Sequence, residues 1–120
     1  MFTLSSTQKF HLYTQPTDMR KSFDGLSGLV QEIMEISPTH RFVFVFINKR
    51  RDKVKLLHWV GAGFNLYYKR LEEGTFELPK YDLSHCSIEL NYTQMVMLID
   101  GVSIVNIHKR KRYSLPNKNV

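Results

Sequence analysis

The chain is predicted to fold as a single α+β domain: a mainly antiparallel sheet built on a central hairpin, with helices packed on one side. Three observations predict this. Phe42-Val-Phe-Val-Phe-Ile-Asn48, the basic run Lys49-Arg-Arg-Asp-Lys53 and Val54-Lys-Leu-Leu-His-Trp59 read as strand, turn and strand. Residues 22–35 and a stretch from Thr93 carry apolar residues at helical spacing instead. The 120 residues suffice for one domain with a real core, not for two.

Taken in order, residues 9–14 alternate as a short strand, with Phe10 and Leu12 on one side and His11 and Tyr13 on the other. Gln15-Pro16 ends it, because proline has no N–H for a ladder. Thr17 or Asp18 then caps a helical turn through Met19, Arg20 and Lys21. In the helix over 22–35, Phe23, Leu26, Val30 and Ile33 form the apolar stripe, flanked by Leu29 and Met34. Gly25 and Gly28 share roughly one face and are expected to let this helix lie close to the sheet. Pro38 forbids continuation.

The hairpin strand of 42–48 is apolar on both faces. It is therefore either a central strand covered on each side or a strand that keeps one face for a partner. Gly61-Ala-Gly63 is a turn. Phe64, Tyr67, Tyr68 and Leu71 fit i, i+3, i+4, i+7 and favour a short helix ended by Gly74, with an extended reading also open because aromatics suit strands. Residues 84–90 read as a strand, Thr93 begins a helix closed by Asp100-Gly101, and 102–107 read as a last strand. The domain is thus expected to span 1–107, followed by a basic, mobile tail over 108–120.

Hydrophobic residues make up 42% of the chain, too many for a disordered one. Seventeen Lys and Arg against eleven Asp and Glu give +6, which favours an anionic partner, nucleic acid first. The lone Cys86 rules out an internal disulfide and a cysteine-based zinc site, and fits a reducing compartment. No secretory signal is present, and no apolar run approaches the ~20 residues of a membrane helix, so a cytoplasmic protein is expected.

Enzyme signatures are missing. His11, His40, His58, His85 and His108 are scattered without ligand spacing; His85 and Cys86 are neighbours that point apart on a strand. Gly61-Ala-Gly63 lacks the ending of a phosphate loop. No cofactor, metal or catalytic residue is predicted. A small nuclease holding Mg²⁺ with Asp18, Asp24 and Asp52 is the weakest reading, because capping and helix-start roles account for Asp18 and Asp24. The basic tip is the best candidate: its cations can neutralise phosphates, and arginine can make paired hydrogen bonds to them. The competing reading is a solvated charged turn that discourages edge pairing. Phe42, Phe44 and Phe46 are expected in the core rather than stacked on bases.

Four segments resemble one family. Pro16-Thr-Asp-Met-Arg-Lys-Ser-Phe-Asp-Gly-Leu26 is similar to the opening motif of the accessory protein from the second reading frame of insertion-sequence-66-type transposons. Phe44-Val-Phe-Ile-Asn-Lys-Arg-Arg-Asp52 with Lys55-Leu-Leu57 and Trp59 resembles its middle, and Gly63-Phe64 with Tyr67-Tyr-Lys-Arg-Leu-Glu-Glu-Gly-Thr-Phe76 its third block. Met97-Leu-Ile-Asp-Gly-Val102 is similar to its weaker final helix; residues 80–92 and the tail match poorly. The family is also called TnpB, a name shared with unrelated RNA-guided nucleases. The resemblance implies a protein of a mobile element that supports transposition, with strand transfer left to a separate transposase and no catalytic residue to carry over.

The expectation that follows is a non-catalytic accessory protein for DNA transposition. It would bind transposon ends through Arg20, Lys21, Lys49, Arg50, Arg51, Lys53, Lys69 and Arg70, or hold the transposase and DNA together. The alternative is a protein-interaction module that binds the transposase through an aromatic surface around Trp59, Tyr67 and Tyr68, without direct DNA contact. The run Lys109 to Arg112 offers further backbone contacts on charge alone.

Overall fold

A computed structural model describes residues 7–100. Along the chain run β1 (Phe10–Tyr13), α1 (Phe23–Glu32), β2 (Val43–Ile47), β3 (Lys53–Val60), β4 (Gly63–Arg70), β5 (Ser87–Leu90) and α2 (Tyr92–Asp100). They form one five-stranded sheet in the order β4-β3-β2-β1-β5. Among the described strands only β1 and β2 pair in parallel; the other pairs are antiparallel. The α+β class and the hairpin at its centre are as the sequence predicts.

The sheet is covered on both faces, which corrects the expectation of helices on one side. Phe44 and Phe46 of β2 pack with Tyr13, Leu57 and the α1 residues Leu26 and Val30. Val43, Val45 and Ile47 point the other way, into a cluster with Phe10, Leu12, Leu56, Leu90 and the α2 residues Met95 and Leu98. Every residue of β2 is buried. A strand apolar on both faces at the middle of a sheet needs cover on each side, and one helix supplies each cover. α1 is bound to its face by topology, because it is the crossover between parallel neighbours.

Residues 63–70 form strand β4, and the short helix over 64–71 is corrected. Val60 pairs with Gly63 across a two-residue turn whose first central residue, Gly61, has φ +63°. That is the backbone a tight hairpin requires, and it returns the chain onto the free edge of β3 at once. In β4, Phe64 and Leu66 pack with the α1-side core, whereas Tyr67 packs with the α2-side core. The positions that fit a helical stripe fit this alternation equally well. Gly74, with φ +76°, belongs to the loop after β4 and not to a helix end.

The helices differ in detail from their expected form. Leu26 and Val30 of α1 and Met34 just beyond its end are buried, whereas Phe23 and the capping residue Ile33, both assigned to the stripe, are exposed. The helix stops at Glu32; Glu35 turns left-handed at φ +58° while the Met34 and Ile36 N–H groups donate to the Leu29 and Val30 carbonyls. Close glycine packing on the sheet is not found. A Cβ at Gly28 would meet nothing within 4 Å, and one at Gly25 would meet the Lys21 side chain at 3.1 Å. α2 starts at Tyr92, one residue earlier than expected, because Asn91 and Gln94 cap it reciprocally: the Gln94 N–H donates to Asn91 Oδ1 (2.8 Å) and the Asn91 N–H to Gln94 Oε1 (3.0 Å). The expected strand over 102–107 and the basic tail lie outside the described residues.

Candidate nucleic-acid interface

The basic tip is a built loop. Asn48 organises it: its Oδ1 accepts from the N–H groups of Asp52 (3.1 Å) and Lys53 (3.0 Å), and its Nδ2 donates to Asp52 Oδ1 at 2.7 Å. The Arg51 N–H closes a turn onto the Asn48 carbonyl (3.0 Å), and Arg51 itself is left-handed at φ +59°. Asp52 is thereby held inward as a structural acceptor. The Asn48 hydrogen bond first, then the charges of Lys53 and Arg50, keep its carboxyl below the usual range. Lys49, Arg50 and Arg51 remain exposed and form no ion pair with a described residue.

Two further segments dock on this tip through the backbone. The Thr17 N–H donates to the Ile47 carbonyl at 2.9 Å, which brings the Asp18–Lys21 turn to the end of β2. On the other side, the N–H groups of Leu71 and Phe76 donate to the carbonyls of Asp52 and Arg51, each at 2.7 Å. Phe76 is buried in the α2-side core and anchors that loop. Arg70 lies opposite Lys53 in the β3–β4 register. The cations of the three sequence blocks therefore collect at one end of the sheet: Arg20 and Lys21, then Lys49, Arg50, Arg51 and Lys53, then Arg70. A cleft of about 200 Å³ opens beside the tip, lined by Gln15, Lys49, Arg51 and Tyr81 among others.

Two of these arginines carry a local carboxylate. Arg20 grips Asp18 with its Nε and a terminal nitrogen at 2.7–3.1 Å, yet its side chain is 90% exposed. Asp18 also accepts from the Arg20 N–H at 2.9 Å, and these bonds hold its carboxyl down to about 2. Arg70 reaches Glu72 at 2.9 Å and is likewise exposed. Surface pairs of this kind exchange readily for a phosphate, because their net strength in water is small. Among the described residues no three His, Cys, Asp or Glu side chains gather so as to hold a metal ion.

Two lysines do structural work instead. Lys69, predicted as a contact, points to the α2 face and donates its Nζ to the Ile99 carbonyl at 2.7 Å. A cation at a helix C-terminus meets unsatisfied carbonyls and the negative end of the dipole. Lys55 is buried, with 6% exposure. Its Nζ donates to the carbonyls of Met19 and Lys21, both at 2.7 Å, and lies 4.7 Å from the centre of the Tyr68 ring. Lys55 thus pins the Arg20–Lys21 turn to β3. In the sequence, its strand position between Val54 and Leu56 is the only hint of burial, and nothing local names its partners.

The aromatic trio is not brought together. Trp59 and Tyr68 lie on the α1 side of the sheet, where Trp59 packs edge-to-face on Phe64 with centroids 4.9 Å apart and Tyr68 covers Lys55. Tyr67 packs into the α2-side core. Alternation along β4 separates the two neighbouring tyrosines. Phe44 and Phe46 are fully buried, as expected of core residues, whereas Phe42, expected in the core with them, lies before β2 begins and is half-buried.

Fold and site define a small α+β protein whose described cations concentrate at one end of its sheet. The chain belongs to the family of IS66 Orf2-like proteins, whose pattern matches residues 8–109. It is 31% identical over 105 residues to the uncharacterized protein y4jC of Sinorhizobium fredii (strain NBRC 101917 / NGR234), covering 88% of this chain and 87% of that one. It is 32% identical over 89 residues to y4hO of the same organism, covering 74% and 76%. No solved structure matches it. Membership assigns the protein a transposition-associated accessory role in an insertion element. No helix among the described residues is long and apolar enough to cross a membrane.

Proposed function

We propose that the protein is a non-catalytic DNA-binding accessory factor that grips the backbone of the element's ends with its cationic sheet end and holds them for the transposase in the bacterial cytoplasm. One observation carries this reading. Cations from three segments distant in sequence are fastened at one site by backbone hydrogen bonds, Thr17 to Ile47 on one side and Leu71 and Phe76 to Asp52 and Arg51 on the other. Charges fixed on a rigid frame lose less entropy on meeting phosphates than charges on a loose loop. Arg20, Lys21, Lys49, Arg50, Arg51, Lys53 and Arg70 are the contacts; Lys55 and Lys69 hold the frame.

Binding to a transposon-end duplex, measured over a range of salt concentrations, tests this. Affinity is expected to fall steeply with salt. Replacing Arg50 and Arg51 by alanine removes two phosphate contacts and lowers the log–log slope by about 1.8. No detectable binding at low salt, with or without the transposase, overturns the reading.

A further inference from the structure

At the opposite end of the sheet from the basic tip, a second cleft of about 580 Å³ opens where β1 and β2 begin and β3 ends. Its walls include Lys9, His40, Arg41, Phe42, His58 and Trp59. The volume falls within the ~300–1,000 Å³ of small-molecule sites. No acidic residue is among its described lining, so its formal charge is positive. Lys9, His40 and Arg41 are exposed, whereas Phe42, His58 and Trp59 are half-buried.

The aromatic wall has an ordered geometry. The His40 ring stacks on Phe42 with centroids 4.0 Å apart and planes at 29°, and the His11 ring lies tilted against Phe42 at 4.2 Å. The outer face of His40 is therefore the next place in the stack. Trp59 is steadied by Phe64 behind it. His58 Nε2 lies 3.2 Å from Gln8 Nε2, which adds polar groups at the side of the cleft. Stacking planes, a polar edge and two cations in one concave site match one ligand chemistry: a flat heteroaromatic base joined to a phosphate.

We infer that this cleft binds a nucleoside phosphate, with the base stacked against His40 and Trp59 and the phosphate between Lys9 and Arg41. The same chemistry is offered by a free nucleotide and by an unpaired residue of a DNA strand. The site is separate from the duplex contacts proposed for the basic tip and does not depend on them.

Trp59 is the only tryptophan, so its fluorescence reports on the site directly. The intact chain is titrated with dAMP, with dTMP, with a thymidylate oligomer of about ten residues and with 2-deoxyribose 5-phosphate, which lacks a base. Saturable quenching by the nucleotides and not by the sugar phosphate is expected. Tighter binding of the oligomer, per site, identifies an unpaired strand as the source; equal binding identifies the free nucleotide. His40→Ala is expected to weaken binding roughly five- to a hundredfold, the range for one stacked base. Lys9→Ala with Arg41→Ala is expected to weaken it at least as much; all three residues are exposed, so the fold is kept. Arg50→Ala with Arg51→Ala leaves the quenching unchanged while it reduces duplex binding, which keeps the two readings distinguishable. Absence of quenching at millimolar nucleotide, an equal response to the sugar phosphate, or affinity indifferent to the Lys9 and Arg41 changes overturns the inference.

Discussion

Lys53 and Lys55 differ by one turn of the strand pleat and face the same side of the sheet, yet they have opposite fates. Lys53 sits at the end of β3 beside the tip; Lys55 is one step further in and is roofed by the Met19–Lys21 turn. Replacing Lys55 by methionine keeps the length of the side chain and leaves two carbonyls without their donor. The expected cost is about 1–3 kcal/mol, read by urea denaturation, with a parallel fall in duplex affinity as the Arg20–Lys21 turn is released. Stability equal to that of the parent would mean that the turn is held by other means. Arg20 and Asp18 offer a second measurement. The folded Asp18 carboxyl lies near 2 against an ordinary 3.8, so the folded state binds fewer protons between these values. Whatever the pair contributes to stability is fully present above the ordinary value and is lost as pH falls through about 2. An NMR titration of the Asp18 carboxyl is expected to show the low midpoint, and Arg20→Ala to return it to the usual carboxylate range.

At the scale of elements, the β2–β3 loop sets stability against function. Arg51 occupies a left-handed backbone at φ +59°, a conformation that a side chain disfavours by roughly 1–2 kcal/mol and glycine does not. Arg51→Gly is therefore expected to stabilise the fold by about 0.5–1 kcal/mol, after the glycine's larger unfolded-state entropy is counted, and to weaken duplex binding. Thermal denaturation and a binding titration on the same preparation check both signs; a destabilised variant would refute the account of the loop. The elements also show where periodicity misleads. Three of the four aromatic and apolar positions spaced as a helix (Phe64, Tyr67 and Tyr68) became part of β4, because a hairpin turn at Gly61 delivered the segment to the open edge of β3, and backbone pairing outweighed local preference. α2, by contrast, had its start written in Asn91 and Gln94, a reciprocal cap that the reading from Thr93 overlooked.

For the whole molecule, the sheet is the middle layer of three. Leu26 on α1 and Leu98 on α2 are both fully buried, on opposite faces. Each replaced by alanine is expected to cost about 2–5 kcal/mol, and the two losses to add, since the residues share no partners in the two clusters. Chemical denaturation of the single and double variants decides this; a near-neutral Leu98→Ala would return the molecule to a sheet with one covered face. The layered frame also explains the distribution of function. Both sheet faces are covered, so the candidate sites lie at the sheet's two ends, where strands give way to loops that carry Arg50 and Arg51 at one end and His40 and Arg41 at the other.

The sequence by itself determined the α+β class, the hairpin with its basic tip, the burial of Phe44 and Phe46 and the family. These depend on alternation, turn chemistry and motifs, which are local. Only the tertiary structure decided that the helices lie on opposite faces, that Trp59 and Tyr67 part company, that Lys55 and Lys69 are fasteners, and that the other cations of the three matching blocks share one end. Each of these is set by which strand pairs with which and in what register, and a single residue of register moves a side chain from one face of the sheet to the other.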